Sequence, residues 1–575
     1  MKYTGARILI ESLIENGVDT IFGYPGSSVL NIYDELYKCK NRIRHILVSH
    51  EQYAAHAADG YARSTGRAGV CLATSGPGAT NLVTGIATAF VDSVPIVAIT
   101  GNVGIPLLGK DSFQEVDITG ITMPIVKHNW IVEDVHDLAE IVREAFIVAL
   151  SGRPGPVLID IPKDISSAVC EFIPGNIGFH VNSVLNERAL RLVNRTERET
   201  FNDDDIEKAA LLIKQSSRPM IYAGGGVIRS GAREQVIKLA ELLKAPVALS
   251  LMGMGAFPFD HVLCTGLIGM HGTIASNKAV QKSDLLIALG ARFSDRVTNS
   301  VTAGSVTASS VTGNSERFAK NAKIIHIDID PAEINKNIKT DAFIVGDLKS
   351  VLTALIKKIP EKICTDWNSE ISGWKTEAIK TFHRKTTARA VQPYFVIQET
   401  AKALGENAIV VTDVGQHQIW TAQFYPFKNP NSFLSSGGMG TMGFGLGAAA
   451  GAKIANPKAP VVLFTGDGCL RMNCGEMATL VKYSLPVLII VFNNGTLGML
   501  RQWQNLFYKA NYSETDLDNR GPDFLNLAAA YDVPAFRAVD EASFLEALKK
   551  GKSLLTSGKP VLIEVVIDKN AMVAY

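Results

Sequence analysis

An aspartate between two glycines, Gly466-Asp467-Gly468, follows the apolar run VVLFT, and a pair of asparagines, Asn493-Asn494, follows the next such run, PVLIIVF. In an open parallel sheet, ligands sit outside the carboxyl ends of the strands. Two strands joined by a returning helix would bring Asp467 and Asn494 to one point. A carboxylate with an amide oxygen suits a hard cation such as Mg²⁺, which keeps waters and takes phosphate oxygens. Gly466 and Gly468 let backbone approach a diphosphate closely. A plain strand-end turn would explain the glycines alone; the asparagines after a second strand point to a metal and a diphosphate.

Three other stretches carry reactive or shaping residues. HILVSHEQYAAHAADGYARSTG puts Glu51 on the first turn of a helix, right after a strand. There it is either a simple partner of the helix dipole or a proton donor, which would have to be desolvated. His417 in DVGQHQ directly follows the strand-like AIVVTD. The glycine-rich GGMGTMGFG (437–445) surrounds Met442, whose default fate is core packing, but so many glycines disfavour an ordinary core helix or strand.

The elements that must hold these groups read as an α/β pattern. Short Val/Ile/Leu runs at 45–48, 69–74, 95–100, 156–161, 220–225, 285–289, 324–329, 408–413, 461–465 and 486–492 alternate with helical stretches. That rhythm predicts doubly wound domains with mostly parallel sheets. The chain has 575 residues, enough for three to four domains of ~150–200 residues. Polar, charged sequence at 171–194 and a Lys/Glu-rich stretch at 351–374 read as linkers, leaving domains at 1–170, 195–350 and 375–575. The Ser/Thr/Val-biased 298–315 reads as a surface loop.

The first and third domains share an internal repeat. At a constant offset of 391, Thr74 meets Thr465, Thr88 meets Thr479, Pro95 meets Pro486 and Asn102 meets Asn493. Two related domains invite a site between them. Lys+Arg 57 against Asp+Glu 56 leaves a net charge of +1, which gives no global reason to bind nucleic acid or a membrane surface. The seven scattered cysteines form no C-x-x-C and fit a reducing cytoplasm. No signal peptide and no run of 18 apolar residues is evident.

The GDG-(24 residues)-NN pattern resembles the signature of thiamine-diphosphate enzymes. The resemblance implies Mg²⁺ on Asp467, Asn494 and the carbonyl of Thr496. It implies a diphosphate near Gln416, His417, Gly466, Gly468 and Cys469. Met442, beside Gly440 and Met499, would wedge between the cofactor's rings. Glu51 would protonate the aminopyrimidine, with Pro25, Pro77 and Asn81 beside it; Tyr53 stands where the family has a small residue. Because Glu51 and Asp467 lie in different domains, the family pattern implies a homodimer or homotetramer with each site at a subunit interface.

Within that family the chain is similar, over nearly its whole length, to acetohydroxyacid synthase (acetolactate synthase) large catalytic subunits. FQEVDITGITMPIVKH places Phe113 and Gln114 at active-site positions, and SGRPGPVLIDIPKD places Lys163 in the substrate channel. NNGTLGMLRQW carries Trp503, which favours 2-ketobutyrate as acceptor, and Leu500 where a Val is usual. One methylene shifts such a choice by only ~1–3 kcal/mol. In the middle domain GGG (224–226), GMHGT, LGARFSDRV and HIDIDP resemble an FAD-binding domain. That places Arg153, Gly225, Gly226, Met270, His271, Gly272, Gly290, Arg292, Asp295, Arg296, Asp328, Ile329 and Asp347 around a flavin, with Ser294 replacing an acid.

The expected activity is decarboxylation of pyruvate and ligation of the two-carbon unit to a second pyruvate or to 2-ketobutyrate, a step of branched-chain amino acid synthesis. The family usually adds a small regulatory subunit. The alternatives are a flavin-free catabolic acetolactate synthase, another thiamine-diphosphate decarboxylase, or a non-catalytic homologue; intact Glu51, Asp467 and Asn494 argue against the last.

Overall fold

The computed structural model describes residues 1–174, 201–298, 318–361, 365–384, 390–517 and 521–573. Most of the stretch expected to link the first two domains, and nearly all of 298–315, lie outside these. Each of the three regions holds a six-stranded, wholly parallel sheet flanked by helices. The family expectation of an α/β fold with three such units is met.

A short antiparallel pair, β1 (Lys2–Thr4) with β8 (Val169–Glu171), ties the two ends of the first region together. Between them run β2 (Thr20–Gly23), β3 (Arg44–Leu47), β4 (Gly69–Ala73), β5 (Ile96–Asn102), β6 (Asn129–Ile131) and β7 (Val157–Pro162). Their order across the sheet is β3-β2-β4-β5-β7-β6. The middle sheet contains β9 (Pro219–Ala223), β10 (Val247–Leu249), β11 (Cys264–Leu267), β12 (Leu285–Leu289), β13 (Lys323–Asp328) and β14 (Ala342–Val345), ordered β11-β10-β9-β12-β13-β14. Renumbered from its first strand this is 3-2-1-4-5-6, the dinucleotide-binding order. The third sheet has β15 (Ile409–Thr412), β16 (Phe433–Ser435), β17 (Val461–Gly466), β18 (Val487–Asn493), β19 (Ala535–Ala538) and β20 (Val561–Val566), ordered β16-β15-β17-β18-β20-β19.

The first and third sheets therefore have one topology, and the repeat extends to side chains. Asn102, at the end of β5, donates to Asp160 of neighbouring β7 at 2.6 Å. Asn493, at the end of β18, donates to Glu564 of neighbouring β20 at 2.6 Å. Thr100 pairs with Asp160, and Val491 pairs with Glu564, in the same register. The central strands are buried along their whole length, because helices cover both faces; that is why they read as unbroken apolar runs.

Two equivalent helices, Glu51–Thr65 and Gly445–Ala455, pack the first domain against the third. A Cβ on Gly60 would lie 2.1 Å from the Ala448 carbonyl oxygen, and one on Gly451 would lie 1.9 Å from that of Ala57. The backbones touch where each glycine faces the other helix.

The stretch read as a second, helical linker is largely helical and also packs on the middle domain. The helix Leu348–Ile356 buries Val351, Leu352 and Leu355 in the middle domain's core. In the helix Thr365–Arg384, Trp367 and Trp374 are buried against the same domain. The Trp367 indole donates to the Pro219 carbonyl at 3.1 Å. Tryptophans seven residues apart share one helix face, so this helix docks on the middle sheet instead of simply leaving it. Among the described residues, no helix is long and apolar enough to cross a membrane.

Candidate active site

The carboxyl ends of β15, β17 and β18 open on a cleft of about 490 Å³. Eleven of the residues singled out from the sequence line it: Gln416 and His417 after β15; Met442 after β16; Gly466, Asp467, Gly468 and Cys469 after β17; and Asn494, Thr496, Met499 and Leu500 after β18. Gly440, with φ of +68°, shapes the same glycine-rich loop without lining the cleft. The helices Gln416–Phe424 and Asp467–Asn473 both begin at the cleft and turn backbone N–H groups toward it.

The groups present fit a magnesium diphosphate. Asp467 is 3 % exposed and accepts from the backbone N–H groups of Gly468 (2.9 Å) and Gly495 (2.8 Å). Burial outweighs these bonds and lifts its carboxyl to about 6. Asn494 turns its oxygen toward the Thr496 N–H (3.2 Å) and its nitrogen toward Gln416 (3.4 Å). Among the described residues, no three His, Cys, Asp or Glu side chains are placed to share a metal. A cation here would take one carboxylate and otherwise amide, backbone, water and phosphate oxygens, which is the habit of Mg²⁺. His417 is buried, and burial pushes its imidazole down to about 3, so it is neutral. Its Nε2 is buried with no partner. An unsatisfied imidazole nitrogen beside two helix N-termini is what an anion's oxygen would complete.

Below the cleft Asp413, also lifted to about 6 by burial, carries the glycine-rich loop. Its carboxylate accepts from the N–H groups of Gly443 (2.9 Å) and Gly445 (3.0 Å) and from the Thr465 hydroxyl (2.8 Å). Asp413 was not singled out from the sequence, although it sits at a strand end like Asp467. Gln502 was also missed; it joins Gln416 (2.9 Å) to the C-terminal segment through Val573.

The first domain assembles a second cluster at the equivalent ends of β2, β3 and β4. Glu51 is 9 % exposed and accepts from the Asn81 amide at 2.9 Å. Pro25 lies on the loop after β2, and Pro77 opens the helix Pro77–Asn81 after β4. No first-domain residue lines the 490 Å³ cleft, so Glu51 does not share it with Asp467 within this chain. Phe113 (86 % exposed), Gln114, Lys163 and Trp503 do not line it either. Gln114 has φ of +60°, and its side-chain oxygen accepts from Ser27 at 3.5 Å. Arg296 stacks over the Trp503 ring at 5.3 Å. The Tyr53 hydroxyl crosses to the third domain and donates to the Met472 carbonyl at 2.5 Å, which explains how a large residue fits there.

In the middle domain Gly224, Gly226 and Gly290 meet backbone to backbone: a Cβ on Gly226 would lie 2.6 Å from the Gly290 Cα. Gly225 opens the helix Gly225–Arg229 beside them. Asp328 ends β13 buried, and its carboxyl is lifted to about 6 by burial. Ile329 follows it, half-buried. Asp347 caps the helix Leu348–Ile356 through the Ser350 N–H (3.0 Å). Met270 is buried near Arg296, while His271 and Gly272 follow it in a turn whose carbonyl accepts from Gln423 (2.9 Å). Asp295 begins a short helix at the surface. Arg153 reaches the Ser93 hydroxyl (2.8 Å), Asp330 (3.2 Å) and Glu333 (2.9 Å); Arg292 reaches the Val91 carbonyl (2.5 Å).

Comparison with known proteins agrees with this geometry. Residues 3–121 match the N-terminal TPP binding domain of thiamine pyrophosphate enzymes, 206–355 their central domain, and 413–565 their C-terminal TPP binding domain. The chain is 46% identical to a probable acetolactate synthase large subunit of Methanocaldococcus jannaschii, over 98% of this chain and 92% of the relative. It is 46% identical to an acetolactate synthase of Mycobacterium bovis, over 100% and 89%. It is 44% identical to an acetolactate synthase large subunit of Corynebacterium glutamicum, over 100% and 88%. Three matched thiamine pyrophosphate domains and identity of this order along the full chain make it a member of the acetolactate synthase large-subunit family.

Proposed function

We propose that this chain is the catalytic chain of an acetolactate synthase, joining two 2-keto acids with loss of carbon dioxide. Pyruvate is the donor, and pyruvate or 2-ketobutyrate the acceptor. The observation that carries the reading is the convergence of Asp467, Asn494, Thr496, His417 and Met442 on one cleft. Thiamine diphosphate supplies, when bound, a carbanion-forming C2 and an electron-accepting ring. Asp467, Asn494 and the Thr496 carbonyl hold Mg²⁺; His417 and the two helix N-termini hold the phosphates. Met442 wedges the rings, and Glu51 holds the proton exchanged with the aminopyrimidine. Gln114 and Lys163 take substrate carboxylates, beside Phe113, and Trp503 with Leu500 borders the acceptor. The apolar side chains of Met442, Met499, Leu500 and Phe492 keep water from the reacting carbon.

Since Glu51 and the cleft are apart in one chain, two chains complete each site, as a homodimer or a homotetramer. Phe113, Met439, Met472 and Leu500, all exposed apolar side chains near the two half-sites, favour a covering partner. FAD binds the middle domain in a structural role, supported by the strand order and by the glycine contacts of Gly224, Gly226 and Gly290. The printed name "large subunit" of several relatives supports a small regulatory partner. The described cysteines are all free thiols, which supports a cytoplasmic setting.

The test is a carboligation assay with pyruvate alone and with 2-ketobutyrate, with and without added FAD. Acetohydroxy acid should form only with Mg²⁺ and thiamine diphosphate, and the purified protein should be yellow. Glu51→Gln should lower turnover by about 10²–10⁴-fold. Acetaldehyde as the sole product, or an unaffected Glu51→Gln, would sink the proposal.

A further inference from the structure

The turn Val91-Asp92-Ser93 ends the helix Val83–Val91 and touches both other domains. On the middle-domain side, the Val91 carbonyl accepts from Arg292 (2.5 Å) and the Asp92 carbonyl from Arg229 (3.4 Å), while the Ser93 hydroxyl accepts from Arg153 of its own domain (2.8 Å), which in turn reaches Asp330 (3.2 Å) and Glu333 (2.9 Å) of the middle domain. The Asp92 carboxylate faces the third domain. Its two oxygens accept from the N–H groups of Gly437 (3.0 Å) and Gly438 (2.8 Å), at the start of the loop that carries Met442.

The carboxylate is itself held in place. Arg63 donates to it at 3.0 Å, to Asp59, and to the Ser435 carbonyl at 3.0 Å. Asp59, Arg63 and Asp92 are all buried. A buried charge set of this kind costs desolvation and persists only when each member is paired. The loop fits the turn tightly: a Cβ on Gly438 would lie 2.4 Å from the Val91 side chain. One turn back along the helix, the hydroxyls of Thr88 and Thr441 meet at 2.6 Å, one residue before Met442. At its other end the loop hangs on Asp413. Met442 is thus suspended between two carboxylates, one of its own domain and one of the first domain.

A wedge that bends a ligand is pushed back by it, and works only if its backbone cannot recede. We propose that Asp92 is a positioning residue for the cofactor, holding the Gly437–Met442 segment of its own chain against the ring side of the cleft. This rests on the reading that Met442 borders thiamine diphosphate and that sites form between chains. It gives each site a divided origin: the proton donor Glu51 comes from one chain and the loop anchor Asp92 from the other.

The test uses the full-length protein. In Asp92→Asn, the thiamine diphosphate needed for half-saturation, followed by the fluorescence of cleft-lining Trp420, should rise about tenfold, the weight of a lost charge-assisted bond. The near-ultraviolet circular dichroism of the bound cofactor should change, while the cofactor-free protein keeps its thermal midpoint within a few degrees. Thr88→Val, which leaves every charge in place, should act in the same direction by a few-fold and decides if Asp92→Asn does not fold. Unchanged half-saturation in the folded variants overturns the proposal.

Mixed dimers, assayed at sub-saturating cofactor, separate it from the reading beneath. Glu51→Gln chains paired with Asp467→Ala chains should regain about half the wild-type turnover, since one of the two symmetry-related sites is intact. Glu51→Gln chains paired with Asp92→Asn chains should do the same. Recovery by the first pair without the second overturns the placing of Asp92 in its own chain's site. Recovery by neither pair overturns the reading that sites form between chains, and the cofactor titration then decides on Asp92 alone.

Discussion

Asp467, buried at the mouth of a helix, holds its proton up to about pH 6 when no cation is near. A metal ligand must be ionised, so a cation competes with that proton. Between pH 7.5 and 5.5 the ionised fraction falls about fourfold for a group titrating near 6. The Mg²⁺ concentration for half-activation should rise by about that factor over this interval, measured in the carboligation assay at saturating thiamine diphosphate. Asp467→Asn should abolish the pH dependence along with most of the affinity. Asp467 and Asn494 were legible in the sequence because strand, turn and spacing are local features. Asp59 and Arg63 were not: an acid and a base four apart on a helix look like an exposed pair. Only the packing against Asp92 and Ser435, far away in sequence, shows that they are buried.

At the scale of elements, the contact between the helices Glu51–Thr65 and Gly445–Ala455 depends on glycines. Gly451→Ala would drive a methyl into the Ala57 carbonyl and should cost about 1–3 kcal/mol. The thermal midpoint should fall by about 2–4 °C for each kcal/mol. Gly373→Ala, on an exposed helix position with no atom within 4 Å, should instead hold or raise the midpoint.

The same junction contains Glu476, fully buried, bonded to the Ser49 N–H at 3.1 Å and lifted by burial to about 7 from an ordinary 4.5. A pKa raised in the folded state means that the fold binds the proton more tightly. The stabilisation is complete below about 4.5 and is lost as pH rises through 7. Glu476→Gln, which cannot titrate, should therefore gain on the wild type between pH 5 and 8, by up to roughly 3 kcal/mol. Thermal midpoints of both proteins at the two pH values check this. Nine of the ten apolar runs read as strands are buried on both faces, and the tenth, the edge strand β3, is only partly covered. Short edge strands such as β16 and β19 carry too few residues to show a pattern, and β16 is recognisable only by its pairing with β15.

At the scale of the whole molecule, the proposed completion of each site by two chains would make association part of the chemistry. Turnover per chain should fall on dilution in step with the monomer fraction, followed by sedimentation at the assay concentrations. A monomer with full turnover would contradict the divided site. The repeat at an offset of 391 was visible in sequence and pointed to two related domains. It recurs as one strand order, one register and one Asn–acid pair in two domains. The proposed division between chains depends on which surfaces face each other, and no spacing encodes that.

The duplicated architecture also sets a stoichiometry. The position of Asp467 corresponds to Gly76 in the first domain, and that of Asn494 to Val103, so only one copy of the fold retains oxygen ligands. On the proposed reading, two related domains would therefore give one binding equivalent of magnesium diphosphate per chain, with the ligand-poor copy left to contact the other end of the cofactor.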